Sequence, residues 1–315
     1  MLQCTRGLKM EHGVLPSSCQ ELLLKKDLFE EYLARTKFPL SSFSFITLFG
    51  WQGFFEFDFK MINDNLCIFA QNQMGCFLYL PPLGDKVKAE TIEQCFQMMV
   101  DVNGKKGVTR IENVPEGMLS FFPNDQYVFS LKGYEYCYRR EDIAHLRGNA
   151  YKSKRSSYNQ FIKTNIYKYA PYEKSMEGEC LSLYESWARN RALVYEDDIY
   201  RQMLDENKIV HQLTLQYYKE LDIIGRVVLV NNKVRAYTAG FNINENFFCI
   251  LFEIADLDIK GLPVFIFSQF CQDQSLQQYE FINVMDDFEL ANIKKTKISF
   301  HPHKLLASYI IKKRF

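Results

Sequence analysis

Apolar and polar side chains alternate in several short segments of the first half of the chain, which is the pattern of half-buried β-strands. In the first segment Phe55 and Phe57 alternate with Glu56 and Asp58, whereas the next two are continuous apolar runs between turn-forming residues. We therefore predict consecutive strands of one sheet. The predicted strands of this half are Phe54 to Phe59, Leu66 to Ala70, Cys76 to Leu80, Val108 to Ile111 and Tyr127 to Leu131.

Apolar residues three or four positions apart predict helices in the same half. One helix is predicted to begin at Ser18, whose hydroxyl can cap it while Glu21 reaches back, and to bury Leu24 and Leu28 on one face. Another is predicted over Thr91 to Val102. These helices are expected to pack on a mostly antiparallel or mixed sheet.

The second half repeats this order of elements. An amphipathic helix is predicted around Tyr184 and Trp187, and a second helix follows it. Three strands come next, followed by an apolar helix from Leu262 to about Cys271 and a strand from Glu280 to Val284. Because no residue-level repeat is visible, a duplication is inferred from the order of elements alone. The three strands are Gly225 to Val230, Val234 to Phe241 and Phe247 to Ile254.

Length and charge set limits on the organisation of the chain. Its 315 residues exceed what one hydrophobic core usually serves, so we predict two domains, 1–165 and 166–315. Apolar residues make up 47% of the chain, which argues against disorder. Lys plus Arg and Asp plus Glu both number 38, so contact with nucleic acid or an anionic membrane has to come from a local cluster.

Cysteine usage and apolar run length indicate the compartment. Nine cysteines are scattered singly without a CxxC pair, as expected for reduced thiols in a cytoplasmic protein. Residues Met1 to Pro16 lack the apolar run of a signal peptide, and no apolar stretch is long enough to span a bilayer. We therefore expect a cytoplasmic protein without a transmembrane segment, which contacts phospholipid only peripherally.

The densest basic cluster lies at the end of the first predicted domain. If Tyr151 to Lys163 is helical, Lys152, Arg155 and Asn159 share one face, and Lys154 lies beside them. A cationic stripe with aromatic neighbours suits a phosphate-rich ligand such as tRNA, a nucleotide or a phospholipid head group. A solvated linker helix explains the same residues.

Acidic residues mark two further candidate sites. Glu253 interrupts an otherwise apolar strand just before Asp256, and a half-buried carboxylate there would suit a general base that deprotonates an amine. The alternative is that Glu253 simply emerges at the exposed end of the strand. Asn283 and Asp287 precede a lysine-rich segment and could hold an amino group beside a phosphate, although loop solvation explains the same pattern.

The histidines give no support for a metal site. Two of them flank Pro302, at His301 and His303, but no third ligand is nearby in the sequence. No hydrolase, metalloprotease, P-loop or dinucleotide-binding motif is present. We therefore predict neither a metal nor a bound cofactor.

The basic cluster also carries a resemblance. The run Leu146-x-Gly148-x-x-Tyr151-x-x-Lys154-Arg155-x-x-x-Asn159-x-Phe161 resembles the signature of the phosphatidylglycerol lysyltransferase C-terminal domain family. Similar blocks extend over nearly the whole chain. They include Ser44-Phe45-x-x-Leu48-x-x-Trp51, Phe252-Glu253-x-Ala255-Asp256, Asn283-x-x-x-Asp287 and Lys297-x-Ser299-x-x-Pro302.

This resemblance implies an α/β (α+β) fold of two acetyltransferase-like (GNAT-like) domains, each a mixed, largely antiparallel sheet flanked by helices. It also implies catalytic roles for Glu253 and Asp287. The chain departs from the family pattern at Glu289, where glycine is usual, and at Asn292-Ile293-Lys294, where Gly-Leu-Arg is usual. The resemblance also implies that Lys154 and Arg155 hold phosphates. Together with the residue pattern, the candidate substrate- or phosphate-binding residues are Lys152, Lys154, Arg155, Asn159, Asp256, Asn283, Lys294 and Lys297.

The function expected from the resemblance is transfer of an aminoacyl group from charged tRNA to a lipid, peptide or small amine acceptor. Two alternatives remain open. One is an N-acyltransferase that uses acyl-CoA, which the lack of a Q/R-x-x-G-x-G/A loop after the Phe247 to Asp256 strand disfavours. The other is a catalytically silent module that binds a ligand in the same cleft.

Overall fold

The computed structural model describes residues 17–104, 107–195 and 198–314. The described residues form two compact units, of which unit 2 is Tyr134–Leu306 and unit 1 is the remainder. The predicted boundary between residues 165 and 166 therefore falls inside unit 2, and that division into domains stays a prediction. Residues 1–16, on which the signal-peptide expectation rests, lie outside the described part of the chain.

Strands and helices follow one another in the order that the apolar pattern indicates. The strands are β1 (Glu56–Ile62), β2 (Asn65–Asn72), β3 (Gly75–Leu78), β4 (Ile111–Pro115), β5 (Tyr127–Arg139), β6 (Tyr167–Pro171), β7 (Ile224–Val230), β8 (Lys233–Asn244), β9 (Phe247–Ala255), β10 (Phe281–Asn283) and β11 (Lys304–Lys313). The helices are α1 (Ser17–Leu23), α2 (Lys26–Leu33), α3 (Phe45–Trp51), α4 (Ala89–Asn103), α5 (Arg140–His145), α6 (Lys152–Thr164), α7 (Glu177–Val194), α8 (Asp198–Gln216), α9 (Leu262–Gln272) and α10 (Ala291–Ile298).

Unit 1 is built on an antiparallel meander. Strand β2 pairs with β1 and β3 in antiparallel fashion, α4 follows, and β4 then pairs parallel to β3. Helix α4 is tied to the sheet by Asn103, which is buried and hydrogen-bonds both the N–H and the carbonyl of Cys76 at 2.7 Å. These two bonds satisfy backbone groups of β3 that would otherwise be costly to bury.

Unit 2 contains the same order of elements. Strands β7, β8 and β9 form an antiparallel meander, α9 follows, and β10 pairs parallel to β9. Strand β6 extends the meander beside β7, and β5 pairs antiparallel to β10. Each unit thus contains three antiparallel strands, a crossover helix and a strand parallel to the third, as the order of elements in the sequence indicates.

A β-bulge in β9 decides which way its side chains point. Ala239 pairs with Phe252 but Gly240 pairs with Ile250, so Leu251 is an extra residue on β9. Before the bulge, Ile250 packs in the cluster that contains residues of α9, whereas Phe252 packs with residues of α7. The extra residue therefore reverses the alternation of the strand.

The first predicted helix is wrong in one respect. The chain forms two short helices, α1 and α2, instead of one, and Leu24 lies in the turn between them with 82% of its surface exposed. Phe29 of α2 is fully buried, so a phenylalanine that the leucine spacing passed over forms the apolar contact. Leucine spacing alone did not reveal this break.

Helix α6 lies against the start of α9. A Cβ built on Gly261, the N-cap of α9, would be 2.1 Å from the carbonyl oxygen of Ser157 in α6. The φ of Gly261 is +82°, which favours glycine in any case. This close approach brings the predicted basic helix against the crossover helix of unit 2.

We expect Gly261→Ala to destabilise the protein more than Gly148→Ala. Both glycines have nearly the same φ, +82° and +83°, which costs an alanine about 1–2 kcal/mol. Only Gly261 has a neighbour that the new methyl group would meet, since nothing lies within 4 Å of the corresponding position at Gly148. Urea unfolding of both variants measures the difference, and equal losses would mean that α6 can move away without cost.

Candidate active site

The candidate site lies in unit 2, where two parallel strands stop pairing. Strand β9 pairs with β10 from Phe247 to Cys249, opposite Phe281 to Asn283. Strand β9 then continues to Ala255. The segment that follows β10 turns away from it at Met285, whose φ is +62°. A cavity of about 350 Å³ is lined by the later residues of β9 and by the chain that follows β10.

Helices α7, α8, α9 and α10 complete the walls of this cavity, and most of the side chains they contribute are aromatic or apolar. Pockets with this composition and a few convergent polar groups are typical of ligand-binding sites. The aromatic side chains in the lining are Tyr138, Tyr184, Trp187, Tyr195, Tyr200, Phe252, Phe267, Phe288 and Phe300. The charged or titratable ones are Arg191, His211, Glu253, Asp286 and Lys297.

Glu253 is the predicted catalytic carboxylate that lies in this cavity. The bulge at Leu251 turns it towards α9, and its charge acts on Tyr138 and Cys271 in that region. Burial raises the pKa of Glu253 to about 8, because no cation offsets the loss of hydration. The carboxyl group is therefore mostly protonated at neutral pH and can exchange a proton close to it.

His211 is held as a neutral group on the opposite wall. Its Nδ1 lies 2.9 Å from the hydroxyl oxygen of Tyr237, and its ring is 3.9 Å from that of Phe252 between centroids. Burial lowers its pKa to about 3. The imidazole is therefore uncharged at physiological pH and contributes packing and one hydrogen bond to the wall.

Lys297 holds the loop that follows β10. Its Nζ donates to the carbonyl oxygens of Val284, at 2.6 Å, of Met285, at 3.2 Å, and of Asp286. Burial lowers the pKa of Lys297 to about 8, although the nearby Asp286 opposes this shift. The ammonium group that was predicted to bind a phosphate thus already has three partners in the backbone.

Asp287 and Asn283 brace the same loop. The Tyr136 hydroxyl donates to Asp287 at 2.5 Å, and the other carboxylate oxygen accepts from the Glu289 N–H at 2.9 Å. Asn283 is fully buried, donates to Glu135 at 2.5 Å and accepts from the Met285 N–H. Neither side chain lines the cavity. A catalytic role for Asp287 stays a prediction.

The basic stripe on α6 divides into two pairs. Lys152 and Asn159 are exposed. Lys154 donates to the Ser299 hydroxyl at 2.7 Å and lies 3.8 Å from the ring centroid of Phe300, while Arg155 donates to the carbonyls of residues 146 and 148. Lys154 therefore supports a cavity wall, and Arg155 supports the turn before its own helix.

Asp256 and Lys294 lie outside the cavity. Asp256 pairs with Arg235 at 3.0 Å and lines an adjoining polar pocket of about 440 Å³, which shares Trp187 with the cavity. Lys294 is exposed on α10, whereas Asn292, from the same departure from the family pattern, does line the cavity. Phosphate binding by Lys294 stays a prediction, as do the other assigned binding roles.

Arg191 and most of the cavity wall were not predicted from the sequence. Tyr184, Trp187 and Arg191 are spaced three and four residues apart on α7, so they share one face of that helix. The position of Arg191 on the same helix face as Tyr184 and Trp187 could therefore have marked it in the sequence as a candidate site residue. The contributions of α8 and α10 had no comparable signal, because they depend on how distant parts of the chain come together.

A metal site finds no support in the described residues. No group of three or more His, Cys, Asp and Glu side chains among these residues could hold a metal ion. His301 instead packs edge-on against Tyr151, and His303 stacks on Phe281. Within the same ranges, no helix combines the length and apolarity that crossing a membrane requires.

Comparison with known families decides the relationship. The family described as phosphatidylglycerol lysyltransferase, C-terminal, matches residues 34–312. The chain belongs to this family. The resemblance inferred from the sequence is thereby confirmed over almost the whole chain. No curated protein matches the sequence.

Solved structures of other proteins share the fold of this phosphatidylglycerol lysyltransferase C-terminal family member. A conserved protein of unknown function from Bacteroides thetaiotaomicron has a TM-score of 0.82 at 23% identity, covering 93% of this chain and 97% of that one. L-PGS from Bacillus licheniformis has a TM-score of 0.63 at 13% identity, covering 90% of each. FemX has a TM-score of 0.56 at 7% identity, covering 96% of each. The predicted GNAT-like α/β fold class is confirmed.

We expect Glu253→Gln to change how stability depends on pH. The pKa of Glu253 is about 8 in the folded protein, against 4.5 for an ordinary glutamate in the unfolded chain. Its contribution to stability is therefore fully present below pH 4.5 and is lost as the pH rises through about 8. We therefore expect the unfolding free energy of the wild type to fall relative to that of Glu253→Gln as the pH is raised from about 5 to about 9. A difference that stays constant with pH would contradict the raised pKa.

We expect Lys297→Met to loosen the loop after β10. The substitution removes the Lys297 donor from the carbonyl oxygens of Val284 and Asp286, at a cost of about 1–3 kcal/mol, whereas that of Met285 keeps the Tyr136 N–H at 3.1 Å. Lys295→Met, on the exposed side of the same helix, is the matched control and should be close to neutral. Urea unfolding gives the energies, and faster hydrogen exchange in residues 284–290 of the first variant alone would localise the effect.

Proposed function

We propose that this chain is an aminoacyltransferase that moves an aminoacyl group from charged tRNA to a lipid, peptide or small amine acceptor. The observation that carries the proposal is the placement of Glu253, a carboxyl group with a pKa of about 8, in an aromatic cavity where β9 and β10 part. Family membership over residues 34–312 and the fold shared with L-PGS and FemX support the same class of reaction.

The chemistry needs one group that can accept and return a proton. The acceptor nitrogen or oxygen attacks the ester carbonyl carbon of the aminoacyl-tRNA, and its proton passes to the Glu253 carboxylate. The intermediate then collapses, the ester C–O bond breaks, and the ribose oxygen of the tRNA leaves with that proton. Glu253 therefore ends in its initial state, and no proton is gained or lost overall.

The raised pKa suits this role. A base with a pKa near 8 is about one-tenth ionised at pH 7, but its ionised form is a much stronger base than an ordinary glutamate. The walls around Glu253 also limit water, which would otherwise compete as a nucleophile for the ester. The restriction of water favours transfer to the acceptor over hydrolysis.

Phosphates of the tRNA would contact the exposed part of the basic stripe. Lys152 and Lys163 of α6 and Arg147 before it present their side chains to solvent. Lys154 and Arg155, the residues first assigned to phosphates, already bond to protein atoms. The exposed set therefore supports tRNA contact more directly. If the acceptor is a lipid, the protein would reach it by peripheral contact with a membrane.

The acyl-CoA alternative receives less support. Enzymes of that kind bind the CoA pyrophosphate at the start of the crossover helix, where free N–H groups favour an anion. In this chain the backbone of α6 is packed against Gly261, the N-cap of α9, with the Ser157 carbonyl oxygen facing it. A carbonyl oxygen at this position is unfavourable for a pyrophosphate.

The proposal is tested by following label from tRNA. Purified protein is incubated with radiolabelled aminoacyl-tRNAs and a cell extract of lipids and peptides, using wild type, Glu253→Gln and the surface control Glu173→Gln. We expect label to leave the tRNA with wild type and control, and Glu253→Gln to be slower by about 10²–10⁴-fold. The rate with wild type should rise about tenfold per pH unit up to about pH 8 and then level off.

Two outcomes would count against the proposal. If label never leaves the tRNA, the donor is wrong, and the same assay with labelled acyl-CoA tests the alternative. If Glu253→Gln transfers as fast as Glu173→Gln, the carboxyl group has no catalytic role. Binding of tRNA without any transfer by the wild type would favour the silent binding module.

A further inference from the structure

Arg191 enters the cavity of unit 2, and the described part of the chain offers its charge no acidic partner. It lies in the last turn of α7 and lines the cavity, with its guanidinium carbon 5.5 Å from the ring centroid of Trp187. Its Nε is buried and has no hydrogen-bond partner within residues 17–104, 107–195 and 198–314. Among the residues that the structure describes, no carboxylate forms an ion pair with it.

A buried donor of this kind is unusual in a folded protein. Burying an N–H group without an acceptor costs about 1–3 kcal/mol, and more when the group is charged. Such a group in a folded protein calls for an explanation, and a bound water, ion or ligand that supplies the missing acceptor is one. The planar guanidinium presents its donors as a fork that matches the oxygens of a carboxylate or a phosphate.

Two polar side chains accompany Arg191. The charge of Arg191 acts on the Tyr200 hydroxyl and opposes the rise in pKa that burial causes there. Asn292 hydrogen-bonds the same hydroxyl, and both residues line the cavity. A guanidinium with a phenol and an amide nearby is a donor set suited to an anion.

The remaining charges of the cavity leave Arg191 uncompensated. Asp286 lies close enough to Lys297 to act on its charge. Burial keeps Glu253 mostly protonated at neutral pH, and His211 is neutral. The described residues that line the cavity therefore give it a net positive charge that comes from Arg191, while most of its wall is aromatic or apolar.

We propose that this cavity binds a ligand that presents one anionic group, a carboxylate or a phosphate, to Arg191 and places an apolar body between the aromatic side chains. Trp187 contributes to the binding of both parts of the ligand. Its ring lies beside the guanidinium that binds the anionic group, and it also forms part of the cavity wall that contacts the apolar body. The site is specific to this chemistry whether or not an aminoacyl group is transferred, so it can be tested by binding alone.

The test compares three small probes by calorimetry. N-acetyl-L-phenylalanine carries a carboxylate, phenyl phosphate carries a phosphate, and N-acetyl-L-phenylalaninamide is the neutral match of the first. At least one anionic probe should bind wild type about tenfold more tightly than the amide, equivalent to about 1.4 kcal/mol. Whichever anionic probe binds more tightly identifies the group that the site prefers.

Variants assign the preference to Arg191. Arg191→Gln should remove the advantage of the anionic probe and leave binding of the amide unchanged. Arg189→Gln, an exposed arginine on the same helix, should retain the advantage. Arg191→Lys, which keeps the charge but loses the fork, should retain part of it and serves as the test if the glutamine variant does not fold.

Three results would overturn the proposal. The first is equal affinity of wild type for the amide and both anionic probes. The second is an anionic advantage that persists in Arg191→Gln, which would place the anion elsewhere. The third is an absence of binding by all three probes at millimolar concentration. Because no tRNA or acceptor is present, these results are independent of whether the protein transfers an aminoacyl group.

Discussion

The pairing of β9 with β10 ends at Cys249 and Asn283. Beyond that point the chain keeps backbone hydrogen bonds to Tyr136 of β5 at Val284 and Met285, and side chains satisfy further backbone groups that β9 no longer pairs. Lys297 holds the carbonyls of the departing loop, while Asp287 and Asn283 bond to the strand on its other side. The cavity exists because the strands part, and it keeps its shape because these polar side chains fix the loop.

The same arrangement gives several polar residues of the family pattern structural contacts in this chain. A loop that leaves a sheet exposes carbonyl and N–H groups, and burying them requires partners of fixed geometry. Lys297, Asp287 and Asn283 supply those partners. Two titratable groups of the cavity wall that are not part of this loop are the carboxyl of Glu253 and the guanidinium of Arg191. Their chemistry differs, since one exchanges a proton and the other keeps its charge.

Much of the fold could be predicted from the sequence. The apolar runs at 225–230, 234–241 and 247–254 correspond to β7, β8 and β9, and the helix predicted over 262–271 corresponds to α9. Such segments are predictable because burial of an alternating or continuous apolar pattern depends on local spacing. Short elements were missed where that pattern is weak, including α5 and β6, and the break between α1 and α2 was not foreseen.

The candidate site was only half predictable, for a physical reason. The sequence by itself determined the family, the class of fold, the order of elements and the presence of an acid near the end of β9. The tertiary structure decided that a bulge at Leu251 turns Glu253 towards α9, that Lys297 holds a loop, and that Arg191 from α7 enters the same cavity. Strand pairing, loop closure and desolvation join residues far apart in the chain, so no local pattern encodes them.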